Sequence, residues 1–496
     1  MLFCRSQFFF VKNSSLLKAG FKNTSVKHSS QFLGIGARKP KAVQLSTIPY
    51  FSSTHTLALP KSNLIRPSTI RSGLSQKRMF STTPISFQQA TKTIRRSKWP
   101  ANTNKNLGYL CIGTSILVFA IVILGGLTRL TESGLSITEW KPVTGAIPPR
   151  TQEDWEEEFK KYQESPEFKL LNSHITLEEF KFIFYMEWSH RLLGRIIGTV
   201  FVLPTLYYIA RRQVSPPVAF KLLGICALIG LQGAIGWWMV YSGIDEQLLE
   251  ERKSKPTVSQ YRLTAHLGAA FLVYCTMIST GFGILRDHDI MKHPKEYLET
   301  FQKIQSPSLK LFRRLSKGLL GLVFVTAMSG AMVAGLDAGL IYNTFPHMGD
   351  DYIPSANELF SPVFSRLADQ SDLIWRNMFE NPATVQLNHR IMATLTLCSV
   401  FALHMYSHRI RSIIPRPAYK WLNISMGVVS LQVTLGICTL LWLVPIELAA
   451  AHQGGALALL TSVLITVCHL KKPTRSNLML LKNFLEKSKA NNPILK

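Results

Sequence analysis

The chain has 496 residues, 47% of them hydrophobic and 17% charged, with a formal net charge of +27. Its apolar residues are gathered into runs of about 20, the length that crosses a hydrocarbon core of roughly 30 Å, which excludes a soluble globule. The charge is also wrongly placed for nucleic acid. Residues 1–80 hold 13 Lys or Arg and no acid, and the remaining basic residues cluster in alternate loops. That is the pattern of membrane topology, not of a nucleic-acid footprint.

From the N-terminus, residues 1–80 are rich in Ser, Thr, Lys and Arg and lack a long apolar core. This is the composition of a mitochondrial transit peptide, and Arg78-Met79-Phe80-Ser81 resembles a matrix-protease cleavage site. Residues 81–106 stay basic and read as a matrix-side lead-in. Eight spans are predicted at about 107–127, 190–210, 219–241, 263–285, 318–336, 389–408, 421–444 and 447–470. A polar loop, 128–181, separates the first two and carries an acidic helical stretch, Glu153-Asp-Trp-Glu-Glu-Glu-Phe. Pro445 cannot continue a helix and marks a tight hairpin before the last span. The basic loops 211–221, 286–317, 409–420 and 471–475 fall on the side of both termini, and the acidic loops fall on the other. The positive-inside rule puts the termini, with the tail 471–496, in the matrix and the acidic loops in the intermembrane space. The cysteines past the leader (Cys111, Cys226, Cys275, Cys398, Cys438, Cys468) lie within apolar runs without metal-site spacing and read as small buried hydrophobes.

The chain repeats itself. Glu187-Trp-Ser-His-Arg in span two answers Gln386-Leu-Asn-His-Arg in span six, Leu231-Gln232 answers Leu431-Gln432, and His266 answers His452. The expected fold is therefore an all-α membrane protein: eight transmembrane helices in two tandem four-helix bundles, 107–285 and 318–470, joined by the basic linker 286–317. With four spans in each unit, the repeats are parallel and related by a pseudo-two-fold axis along the membrane normal.

His190, His266, His389 and His452 each open a span that runs inward from the outer side, and each unit contributes two, from its second and fourth helices. Two imidazoles facing each other across a four-helix bundle can grip a haem iron from both faces. Gly194, Gly198, Gly268, Ala269, Gly454 and Gly455 are small enough to let a macrocycle approach. A lone membrane histidine is more often an interhelical hydrogen-bonding residue, but four at matching positions favour ligation. Zinc is a weaker competitor, since no cysteine or carboxylate completes a four-ligand set. Arg191 and Arg390 stand beside two of these histidines and suit propionate carboxylates, or else snorkel to water. Glu187 is matched by Gln386 in the second unit. A carboxylate three residues before a ligand shares its helix face and suits proton transfer or stabilisation of positive charge. This asymmetry suggests that one unit does chemistry while the other handles electrons.

On Gly125-Gly-Leu-Thr-Arg-Leu-Thr-Glu-Ser-Gly-Leu-Ser, the two His-Arg motifs and the histidines of spans four and eight, residues 107–470 resemble the heme A synthase family of cytochrome oxidase assembly. The resemblance implies oxidation of the C8 methyl of heme O to a formyl group through a hydroxylated intermediate. It implies His190 and His266 on the substrate haem, with Glu187 as the acid beside it, and a resident haem b on His389 and His452. It also implies a mitochondrial inner-membrane location, electrons from a matrix ferredoxin and its reductase, and handover from heme O synthase. The cysteine pair that many bacterial members carry in the first outer loop is absent between Thr128 and Lys181, so no thiol role is carried over. The bilayer is the surrounding partner, no nucleic acid is expected, and homo-oligomerisation is left open. The rival readings are a dihaem electron-transfer cytochrome, a haem carrier or assembly scaffold and, less well matched, a solute transporter.

Overall fold

A computed structural model describes residues 99–100, 102–252, 254–472, 477–479, 481 and 483. The expected transit peptide, the first part of the matrix lead-in and most of the tail lie outside the described residues. Eight helices among them are long and apolar enough to cross a membrane: α1 (Lys105–Leu130), α2 (Leu177–Ala210), α3 (Pro216–Ile244), α4 (Gln260–Lys292), α5 (Pro307–Gly335), α6 (Pro382–Arg409), α7 (Arg416–Leu441) and α8 (Ile446–His469). No strand occurs among the described residues; one isolated bridge joins Met348 and Asp351.

The helices outrun the apolar runs. α2 begins at Leu177, thirteen residues ahead of His190, where Thr176 and Glu179 form a reciprocal capping box. Its polar first turns persist because they bury an aromatic face: Phe180, Ile183 and Phe184 pack with Trp155 and Tyr162 of the outer-loop helix Gln152–Gln163. α5 likewise starts at Pro307, with Ser306 as its cap, so Arg313, Arg314 and Lys317 ride on helix and not on a loop. Hydropathy marks the lipid-crossing part of a helix, whereas caps and hydrogen bonds set its ends. α7 stops earlier than its apolar run suggests. Leu443 and Val444 have left-handed φ of 62° and 57°, which turn the chain into Pro445.

Within the first half, α1 packs on α2 and α4, and α3 packs on α2 and α4; within the second, α5 packs on α6 and α8, and α7 on α6 and α8. Each set is thus a ring of four helices. The rings meet through α1, α4, α5 and α8. In keeping with this, 50% of the most apolar window of α8 and 44% of that of α4 is buried, against 11% for α7. Lipid is as apolar as leucine, so association here depends on close packing and internal hydrogen bonds. A Cβ on Gly281 of α4 would lie 2.9 Å from the Gly108 carbonyl oxygen of α1, and Tyr274 OH lies 2.7 Å from Thr461 Oγ1 between α4 and α8. Hydroxyls elsewhere, such as Thr394 and Thr439, bond back to carbonyls one turn earlier, leaving no free donor toward lipid.

Candidate functional site

The rings of His190 and His266 face each other with centroids 6.4 Å apart and planes at 66°. Two imidazoles bonded to one metal at about 2 Å each would have ring centres roughly 6–6.5 Å apart, so the spacing suits one iron between them. In the other half, His389 and His452 lie within electrostatic range of each other. Three of the rings also have a polar partner at Nδ1. Nδ1 of His389 lies 2.8 Å from Ser329 Oγ, and Nδ1 of His452 donates to the Gln432 carbonyl at 3.1 Å. The Gln232 carboxamide lies 3.1 Å from His266 Nδ1 and donates to the His266 carbonyl at 2.9 Å; Gln432 makes the same bond to the His452 carbonyl at 2.8 Å. A donated Nδ1–H, as on His452, leaves Nε2 for a metal.

Every one of the four rings rests on a glycine of an adjoining helix. A Cβ would lie 2.9 Å from His190 Nε2 if built on Gly125, and 2.8 Å from His266 Cε1 on Gly236. The corresponding approaches are 3.1 Å to His389 Cε1 from Gly330 and 2.7 Å to His452 Cε1 from Gly436. These are not the glycines singled out from the sequence. Gly194, Gly198, Gly268 and Gly454 meet Ile121, Ile229, Met328 and Ile123, and so pack helix on helix, while Gly455 faces Gln432. No group of three or more His, Cys, Asp or Glu able to hold a metal occurs among the described residues. What the described residues offer a metal is paired imidazoles, with the carboxamide oxygens of Gln232 and Gln432 buried and unpartnered nearby.

Glu187 is 2% exposed and fully engaged. Oε2 accepts from Ser136 Oγ and the Ile137 amide, both at 2.8 Å, and Oε1 accepts from Arg191 Nε at 3.0 Å and Nη2 at 2.6 Å. Arg191 continues to the carbonyls of Ile137 and Glu139. The pair therefore clamps the first outer loop onto α2. Gln386 and Arg390 do the same without an ion pair: Gln386 donates to the Ala338 and Tyr342 carbonyls, and Arg390 to those of Tyr342, Thr344 and His347. Arg390 Nε remains buried without a partner. Beside the first clamp is a cavity of about 400 Å³, lined by Lys141, Lys161, Arg191 and Arg195 and by acids that include Glu139 and Glu158. In the same loop Glu167 is 5% exposed, and burial, followed by the nearby Glu187 and Glu132 charges, pushes its carboxyl up to about 8.

Residues 108–464 match the cytochrome oxidase assembly protein family, COX15-CtaA. The chain belongs to this family. It is 58% identical over 371 residues (75% of this chain, 76% of the relative) to the heme A synthase COX15 of Saccharomyces cerevisiae. Over 367 residues it is 49% identical to a heme A synthase-mitochondrial ferredoxin fusion protein of Schizosaccharomyces pombe, covering 73% of this chain and 59% of the fusion. Over 363 residues it is 44% identical to the human heme A synthase COX15, covering 73% and 81%. The COX15-CtaA match spans all four histidines, both arginine clamps and Glu187. Ser329, Gly236, Gly330 and Gly436 were not singled out from the sequence, and Gly125 entered only as the start of a motif, not as a seat for His190. A signal existed for two of these: Gly236 and Gly436 each lie four residues after the repeated glutamine, on the same helix face.

Proposed function

We infer that this chain is a heme A synthase, which oxidises the C8 methyl of heme O to a formyl group, through a hydroxylated intermediate, to give heme A for cytochrome c oxidase. The observation that carries the reading is the pair of imidazoles 6.4 Å apart in the first half, its counterpart in the second, and membership of the cytochrome oxidase assembly family over most of the chain. His190 and His266 hold the substrate haem in the N-terminal half, 107–285. His389 and His452 hold a haem b in the C-terminal half, 318–470, and that group supplies one-electron redox chemistry when bound. The glycine seats, the buried unpartnered carboxamide oxygens and the Nδ1 partners fit such a ligand.

Glu187 is the catalytic carboxylate in this reading. Held by Ser136, Ile137 and Arg191, it stabilises positive charge developing at the reacting carbon and acts as a general base. Arg191 and Arg390 hold the outer loops and would also suit haem propionates, Arg390 having an unpartnered Nε to offer. A relative named as a fusion with mitochondrial ferredoxin supports a matrix ferredoxin and its reductase as electron source. Heme O synthase would hand over the substrate. The protein would lie in the mitochondrial inner membrane with its termini in the matrix and its histidines toward the intermembrane space.

Haem extraction from cells lacking the protein tests the reading. Accumulation of heme O with loss of heme A is expected. Unchanged haem types would leave only an electron-carrying dihaem cytochrome.

A further inference from the structure

We propose that Gln453, seated on Gly126, is the residue that fixes the two candidate haem sites against each other and carries electron passage between them. The proposal rests on the haem assignment above.

Gln453 follows His452 in α8, but its side chain belongs to the other half. Nε2 donates at 2.9 Å to the Val122 carbonyl of α1, across 331 residues of sequence. The carboxamide fills the space of a missing side chain: a Cβ on Gly126 would lie 1.7 Å from Gln453 Oε1 and 2.6 Å from Cδ. The next residue of α8 joins the same contact, since a Cβ on Gly454 would lie 3.3 Å from Ile123 Cδ1. One turn of α1 thus receives a residue adjoining a ligand of the second half. That turn ends on Gly125 and Gly126, and Gly125 seats His190, a ligand of the first half. From His190 to His452 the route is a ring on a glycine, a peptide bond, a carboxamide on a glycine, and a peptide bond. No side chain outside this set intervenes.

The opposite junction, α4 against α5, lacks the device. By the internal repeat, Leu267 follows His266 where Gln453 follows His452, and Ala331 follows Gly330 where Gly126 follows Gly125. There the contact is apolar: a Cβ on Gly268 would lie 3.1 Å from Met328 Sδ. A methyl at 331 takes the room a carboxamide would need. Packing alone is therefore met by Leu and Ala, and the Gln–Gly pair at one junction only needs another reason. Packed side chains and hydrogen bonds can carry coupling between sites, and the α1–α8 contact supplies both. The step it would serve is a single electron transfer, in which a haem held by His389 and His452 would give up one electron (ferrous to ferric) and a haem held by His190 and His266 would take it (ferric to ferrous). The reductant that restores the first is a ferredoxin, and no atom moves between the sites.

The test compares the wild-type protein carrying both haems with G126A/Q453L, which copies the apolar junction the chain already uses, and with Q453A, which keeps the glycine. Haem content is read by pyridine haemochrome, low-spin ferric signals by electron paramagnetic resonance, and reduction of each haem by stopped flow after mixing with reduced ferredoxin. Both variants should keep both haems and reduce the first at the wild-type rate, while the second follows at least tenfold more slowly. Equal second phases in wild type and variants, with both haems present, would overturn the proposal and leave the enzyme assignment standing. A wild-type protein without paired haems would instead overturn the assignment it rests on.

Discussion

A methyl group is the smallest probe of a histidine's seat. At Gly436 a Cβ would come within 2.7 Å of His452, and at Gly236 within 2.8 Å of His266, closer than real side chains pack. The ring must swing, because the glycine lies on a helix backbone that cannot retreat. Gly436→Ala should therefore lose most haem from the C-terminal half and Gly236→Ala most from the N-terminal half, each with unchanged helical circular dichroism. Ser329→Ala is milder, since it removes only the Nδ1 partner of His389. Losing the hydrogen-bond partner of a ligating imidazole costs about 10–100-fold in metal affinity, measurable as haem retention during purification. Glu187→Gln should keep both haems yet lower heme A formation about a hundredfold, the scale of a lost acid–base group. Wild-type formation in that variant would remove Glu187 from the chemistry.

Among the elements, the first outer loop is the one that answers to pH. Glu167 lies buried in it beside Tyr162, and its carboxyl is pushed from an ordinary 4.5 up to about 8, first by burial. The folded loop therefore binds this proton more tightly than the unfolded chain does. The stabilisation is complete below about 4.5 and is lost as pH rises through about 8. Hydrogen-exchange protection factors of residues 152–170, corrected for the intrinsic pH dependence of exchange, should fall between pH 6 and pH 8.5, roughly the upper part of that window, and Glu167→Gln should flatten the fall. The same loop shows where sequence reading stops. The eight spans were legible because lipid demands about twenty apolar residues per crossing. The outward extension of α2 was not, because Phe180 and Phe184 are buried by a helix from elsewhere in the loop. Nor was the direction of the Glu187 side chain. Its spacing from His190 shows which face it shares, but not that Ser136, Ile137 and Arg191 would claim both oxygens.

Taken whole, the molecule is two rings of four helices joined along α1, α4, α5 and α8. His190 and His389 could be found in the sequence because duplication wrote the His-Arg dipeptide twice, and His266 and His452 because they answer each other in the same repeat. That glycines seat the rings could not be found there, since each faces its histidine from another helix, although Gly236 and Gly436 recur at the same distance from the paired glutamines. The account's central claim is that paired imidazoles in each half hold a haem. Haem content and absorption spectrum of purified His452→Ala, set beside wild type, test it most directly. Wild type should bind two haems. The variant should lose the haem b of the C-terminal half and keep the one on His190 and His266. Unaltered bands and an unaltered haem ratio in His452→Ala would contradict the account.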